Sequence, residues 1–125
     1  MNIRPAIEAD RASIEALIRT YPDQLAQDHL PDTAEFFVAE DEKGIFGCCA
    51  LEVYSPKIAE VRSLAVKEEY RGKGVARALV QACVDRAQEK GIRQVLAITG
   101  ALDFFDKLGF KAFQSEKYAL FRTFD

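Results

Sequence analysis

A chain of 125 residues has the size of one compact domain, and halving it would leave two units of roughly 60 residues, marginal without staples. Hydrophobic residues at 49% and charged residues at 30% exclude an intrinsically disordered chain. The net charge of −3, from 17 Lys and Arg against 20 Asp and Glu, argues against bulk binding to nucleic-acid phosphates.

Residues 2–5 read as an edge strand, since Pro5 cannot donate to a ladder. Ile14, Leu17, Ile18 and Tyr21 recur at spacings of three and four, which predicts a helix over 8–21 that Pro22 stops. Residues 23–29 are expected to add a short helical turn before Pro31. Strands over 35–40 and 45–54 form a hairpin around Asp41, Glu42, Lys43 and Gly44. Ser55, Pro56 and Lys57 then turn into a third strand, 58–66. There the period changes. Val75, Ala76, Leu79, Val80, Cys83 and Ala87 share one face of a helix over 74–90, which Gly91 ends. A buried strand is expected over 94–98, a short helix over 101–108, and a closing hairpin from 110–113 and 118–124.

The strand, loop, helix and strand from 58 to 98 make a right-handed parallel crossover, while the flanking hairpins are antiparallel. The expected fold class is therefore α/β of the α+β type in a single domain, 1–125. Its central sheet is mixed and mostly antiparallel, with one parallel strand pair and helices on both faces. Phe104, Phe105, Phe110 and Phe113 read as an aromatic cluster in the core.

The three cysteines, Cys48, Cys49 and Cys83, offer no even framework and no C-x-x-C pair, so they read as small buried hydrophobes in a reducing compartment. No run approaches the roughly 18 apolar residues of a membrane span. The N-terminal segment is broken by Arg4, Glu8, Asp10 and Arg11, which leaves no signal-peptide core. A cytoplasmic protein with no membrane partner is expected. With one histidine, His29, and scattered carboxylates, no metal set is expected either.

The informative stretch is EVRSLAVKEEYRGKGVARALV, residues 60–80. Its loop holds Gly72 and Gly74, which let backbone approach a ligand, and the following helix begins with unpaired N–H groups. The helix dipole adds partial positive charge to Arg71 and Lys73, and residues 67–77 carry a net +2. Such a construction binds phosphate. The nucleoside-triphosphate pattern G-x-x-x-x-G-K-[ST] is absent, and the dinucleotide pattern G-x-G-x-x-G fails because Arg77 stands at its last glycine.

The signature R/Q-x-x-G-x-G/A does fit, at Arg71, Gly74 and Ala76. With S-L-A-V (63–66) before it and F-F-D-K-L-G-F (104–110) after it, nearly the whole chain resembles the GNAT superfamily of acyl-CoA N-acyltransferases. E-V-R-S-L-A-V and A-I-T-G-A-L-D-F-F also look like the acetyltransferase domain of N-acetylglutamate synthases, although those enzymes carry arginine where residues 21–36 have none. The resemblance implies acetyl-CoA as co-substrate, its pyrophosphate on the loop amides and its pantetheine along the preceding strand. The implied contacts are Leu64, Ala65, Val66, Arg71, Gly72, Lys73, Gly74, Val75, Ala76, Phe105 and Lys107.

Acyl transfer to an amine needs a neutral nitrogen, and an alkylamine with a pKa near 10.4 needs a base to become one. Glu60 is the candidate, because some members of the family keep a glutamate there; an ordinary strand-end glutamate is the alternative. The family's usual tyrosine acid is replaced by Phe105, and Tyr118 is the candidate substitute, with packing as its alternative role. The oxyanion is expected to meet a backbone N–H near Leu64 or Ala65, at a bulge.

The expected function is acetylation of a primary amine on a small molecule, an amino acid among the options. The alternatives are an acyl-CoA-binding module with a sensing role, kept open by Phe105, and a peptide or protein N-acetyltransferase. Whether the chain acts as a monomer or a homodimer stays open.

Overall fold

The computed structural model describes residues 1–112. In chain order it contains β1 (Asn2–Pro5), α1 (Arg11–Arg19), β2 (Phe36–Asp41), β3 (Gly44–Val53), β4 (Ile58–Val66), α2 (Val75–Glu89), β5 (Gln94–Leu96) and α3 (Leu102–Lys107). The five strands form one sheet in the order β1-β2-β3-β4-β5. The first three pairings are antiparallel, and β4 with β5 is parallel. This is the mixed sheet with one parallel pair that the sequence predicts.

Strand alternation sends neighbouring side chains to opposite faces, and each face recruits a helix. Ile14, Leu17 and Ile18 of α1 pack with Phe36, Val38, Cys48, Ala50 and Ala65. On the other face, Val75, Leu79, Val80, Cys83 and Ala87 of α2 pack with Phe46, Cys49, Leu51, Ala59 and Val61. The adjacent cysteines thus serve two different cores. At Gly47 a Cβ would stand 3.1 Å from Leu79 Cδ1 and 3.3 Å from Val75 Cγ1, so glycine here lets α2 lie close on β3.

Three expectations need correction. Residues 23–29 hold no helix: one turn closes at 21–25, where Gln24 N–H and Leu25 N–H donate to the Tyr21 carbonyl, and the Gln27 side chain then donates to the Ile18 carbonyl. Too few apolar residues lie between Pro22 and Pro31 to bury a helical face. β5 ends at Leu96 and is half-buried at Val95 and Leu96, because it pairs with β4 only as far as Glu60. The predicted strand 110–113 does not begin at Phe110, Lys111 or Ala112. Phe113, Tyr118 and the rest of the closing hairpin lie outside the described residues.

Candidate active site

After the pair Glu60–Leu96, β4 continues through Val66 with no partner in β5. The two strands part, and a cleft of about 780 Å³ opens between them. One wall is Glu60–Val66 of β4. The other is Ala97–Ala101, with Phe104 and Phe105 of α3, and Tyr21, Gln24, Leu25 and Ala26 close one end. A smaller pocket of about 290 Å³ adjoins it, lined by Val66, Tyr70, the loop residues Arg71, Gly72 and Gly74, and the start of α2.

Within the cleft the β3–β4 ladder is interrupted. Cys48 pairs with Ala65 and Ala50 pairs with Arg62, so Cys49 alone faces Ser63 and Leu64. This is a bulge, and Ser63 takes φ +57° to accommodate it, a conformation that non-glycine residues seldom adopt. A bulge frees ladder amides and re-aims side chains beside the cleft.

The loop between β4 and α2 is fastened at its middle, through Tyr70 and Arg71. Tyr70 stacks on Phe46 at 3.9 Å, and its hydroxyl donates to Asp41 Oδ2 at 2.8 Å. That bond holds the Asp41 carboxyl below the usual carboxylate range and raises the Tyr70 phenol. Arg71 Nε and the Tyr21 hydroxyl both donate to the Val66 carbonyl at 3.1 Å, and the guanidinium lies 4.9 Å over the Tyr21 ring. Gly72 and Gly74 take φ +77° and +81°, and a Cβ on either would meet nothing within 4 Å. Backbone conformation, not crowding, demands glycine, and the space above the loop is open. The first bond of α2 runs from Ala78 N–H to the Gly74 carbonyl at 3.0 Å, so the amides of Val75, Ala76 and Arg77 have no intrahelical acceptor. Free amides, the helix dipole, open space and the Arg71 and Lys73 charges suit a phosphate group.

Glu60, Leu64, Ala65, Val66, Arg71, Ala76 and Phe105 all line the main cleft, and Gly72, Gly74 and Val75 line the adjoining pocket. The fold brings these predicted residues together. Lys73 lines neither: its ammonium sits 5.6 Å from the Tyr70 ring on the exposed loop. Lys107 is exposed on α3 and also lines neither. Tyr118 is outside the described residues. Phe105 is 8% exposed and meets Phe104 and Phe110 edge to face at 5.0 and 5.2 Å; it is at once core and cleft wall.

Sequence reasoning missed Tyr54, whose hydroxyl donates to Glu60 Oε1, and Arg62, which donates to Glu52 Oε1 at 2.7 Å. Alternation along β4 puts Glu60 and Arg62 on one face, and that much signal was present.

Residues 32–112 match the acetyltransferase (GNAT) domain family. An uncharacterised N-acetyltransferase of Chlorobaculum tepidum is 33% identical over 122 residues, covering 93% of this chain and 79% of that protein. An amino-acid acetyltransferase of Mycobacterium tuberculosis is 30% identical over 116 residues, covering 86% and 67%. Among solved structures, a Mycobacterium tuberculosis protein in complex with CoA and NLQ superposes with a TM-score of 0.83 at 27% identity, covering 93% of this chain and 78% of that one. N-acetylglutamate synthase from Neisseria gonorrhoeae, complexed with CoA and N-acetyl-glutamate, gives 0.80 at 25% identity, covering 94% of this chain and 30% of the longer enzyme. The open cleft, the glycine loop at the head of α2 and these likenesses agree: the chain belongs to the GNAT acetyltransferase family and is an N-acetyltransferase.

Proposed function

We propose that the chain moves the acetyl group of acetyl-CoA to the primary amine of a small molecule, with free amino acids as the leading acceptors. One observation carries this reading: the cleft that Glu60 lines where β4 and β5 part shares Val66, Arg71 and Ala76 with the adjoining pocket of the phosphate-type loop. The relatives named as amino-acid acetyltransferase and N-acetylglutamate synthase support the acceptor class.

In this reading the amides at the head of α2, with Gly72, Gly74 and Arg71, hold the pyrophosphate. Glu60 takes one proton from the ammonium, and the freed nitrogen bonds to the acetyl carbon while the carbon–sulfur bond breaks, its electron pair leaving on the CoA sulfur, which takes up the nitrogen's second proton through solvent. Negative charge on the carbonyl oxygen falls to a backbone N–H at the bulge. Leu64, one of the two bulge residues opposite Cys49, is the donor this reading favours. A thiol of pKa about 8.5 leaving as thiolate at pH 7 costs only about 2 kcal/mol, so Phe105 at the wall is compatible with turnover.

The test is thiol release from acetyl-CoA in the presence of free amino acids, polyamines and short peptides. Cys48, Cys49 and Cys83 are buried, and burial pushes the Cys48 thiol up to about 12, so the protein's own thiols give little background. Release with at least one free amino acid is expected, and Glu60→Gln should lower kcat/KM by roughly 10². Release with peptides alone would move the acceptor class. No release despite CoA binding would overturn the reading in favour of a sensing module.

A further inference from the structure

We propose that Tyr54 is a positioning residue for the transfer, its hydroxyl holding the Glu60 carboxylate in place at the cleft. The inference rests on the reading of Glu60 as the base. It starts from an arrangement that strand pairs ordinarily avoid. Glu52 of β3 and Glu60 of β4 are directly opposed, and like charges across a pair repel.

The two carboxylates are relieved by different means. Arg62 Nη1 donates to Glu52 Oε1 at 2.7 Å and reaches the His29 carbonyl at 3.4 Å, so this cation is committed to Glu52. Glu60 is held by the Tyr54 hydroxyl, and among the described residues no cation pairs with it. The difference matters for a base. A guanidinium on the carboxylate would stabilise its charge and weaken its hold on a proton, whereas a neutral phenol fixes its direction with less of that effect. Glu60 faces Glu52 and Tyr54 from the β3 side, Arg62 along β4 and apolar Leu96 from β5.

Tyr54 is itself well placed for this. It follows β3 at a closed turn, where Tyr54 N–H and Ser55 N–H donate to the Ile58 carbonyl at 3.1 and 3.3 Å. Ser55 Oγ accepts from Lys57 N–H and Ile58 N–H at 3.1 and 3.2 Å. The residue is 53% exposed, so packing gives a weak account of the ring. Desolvation, together with the Glu60 and Glu52 carboxylates beside it, pushes the phenol up from its ordinary value, which keeps the proton on Tyr54 and makes it a donor throughout an assay range.

The experiment is a double-mutant cycle in the intact chain with Tyr54→Phe, Glu60→Gln and the double variant. Turnover of acetyl-CoA is followed from pH 6 to 10, with an equimolar pool of free L-amino acids or with spermidine, whichever is faster. Tyr54→Phe should lower kcat about tenfold across the range, while KM for acetyl-CoA stays within twofold. In the Glu60→Gln background, Tyr54→Phe should change the rate by less than twofold. Phenolate absorbance needs no acceptor: in Glu60→Gln one tyrosine should titrate at lower pH than in the parent. An unchanged rate in Tyr54→Phe beside a slow Glu60→Gln would overturn the inference and leave the base standing. Multiplying losses would overturn it too, by showing that Tyr54 acts apart from Glu60. Parental rates in both single variants would overturn the base reading itself, and an unmoved phenolate titration would refute the bond.

Discussion

Phe105 stands where the family resemblance implies a tyrosine, and its surroundings say what a hydroxyl would meet there. The ring is 8% exposed and packs edge to face between Phe104 and Phe110. Phe105→Tyr therefore places a polar group against aromatic rings, at a cost of about 1–3 kcal/mol if it stays unpaired. Thermal unfolding should show a loss of several degrees, with turnover unchanged. A tenfold gain in kcat without loss of stability would instead place the hydroxyl at the departing sulfur. At this scale the sequence was informative about residue types and silent about partners. Glu60 and Arg62 stand out as polar residues at alternate positions of a strand. Their attachment to Tyr54 and Glu52 depends on the β3–β4 register, and a one-residue slip would send each side chain to the other face.

The element that defines the site is the passage from β4 through the loop into α2. It was legible because the apolar period changes from two to 3.6 across a glycine-rich break, and the observed helix, Val75–Glu89, differs from expectation by one residue at each end. Gly74 caps it at φ +81°. Gly74→Val puts a β-branched residue in the left-handed region, which costs about 1–2 kcal/mol, and fills the open space above the loop. CoA affinity by calorimetry should fall at least about tenfold, roughly 1.4 kcal/mol, at a temperature where circular dichroism shows the variant folded. Unchanged affinity in a folded variant would remove the loop from the site. β5 was less legible because its length is set by where β4 turns away, a tertiary event. At the opposite edge, Arg4 of β1 donates to Asp10 at 2.8 Å and also pairs with Glu40 of β2. The Arg4 bond holds the Asp10 carboxyl below its usual range. A lowered carboxyl stabilises the fold above its unfolded pKa and loses that contribution as pH falls through the folded one. The advantage of the parent over Arg4→Met in urea unfolding should thus be constant above about pH 5 and shrink toward pH 3. A gap that persists to pH 3 would assign the effect to packing.

For the molecule as a whole, two cores on opposite faces of one sheet flank the parting strands: α1 on the side of Tyr21 and Leu25, which close one end of the cleft, and α2 behind the loop. No helix among the described residues is long and apolar enough to cross a membrane. The mixed sheet could be foreseen because hairpins and a crossover leave few other arrangements. The cleft could not, since it is a gap between strands and no residue pattern encodes it directly. In the proposed function, this gap and the loop at the head of α2 together receive the acyl donor. Amide chemical-shift mapping on titration with CoA tests it most directly. The largest shifts should fall on Leu64, Ala65 and Val66 and on Gly72 to Arg77, with smaller ones from Ile98 to Gly100. Shifts confined to other parts of the sheet, or none at millimolar CoA, would contradict the account.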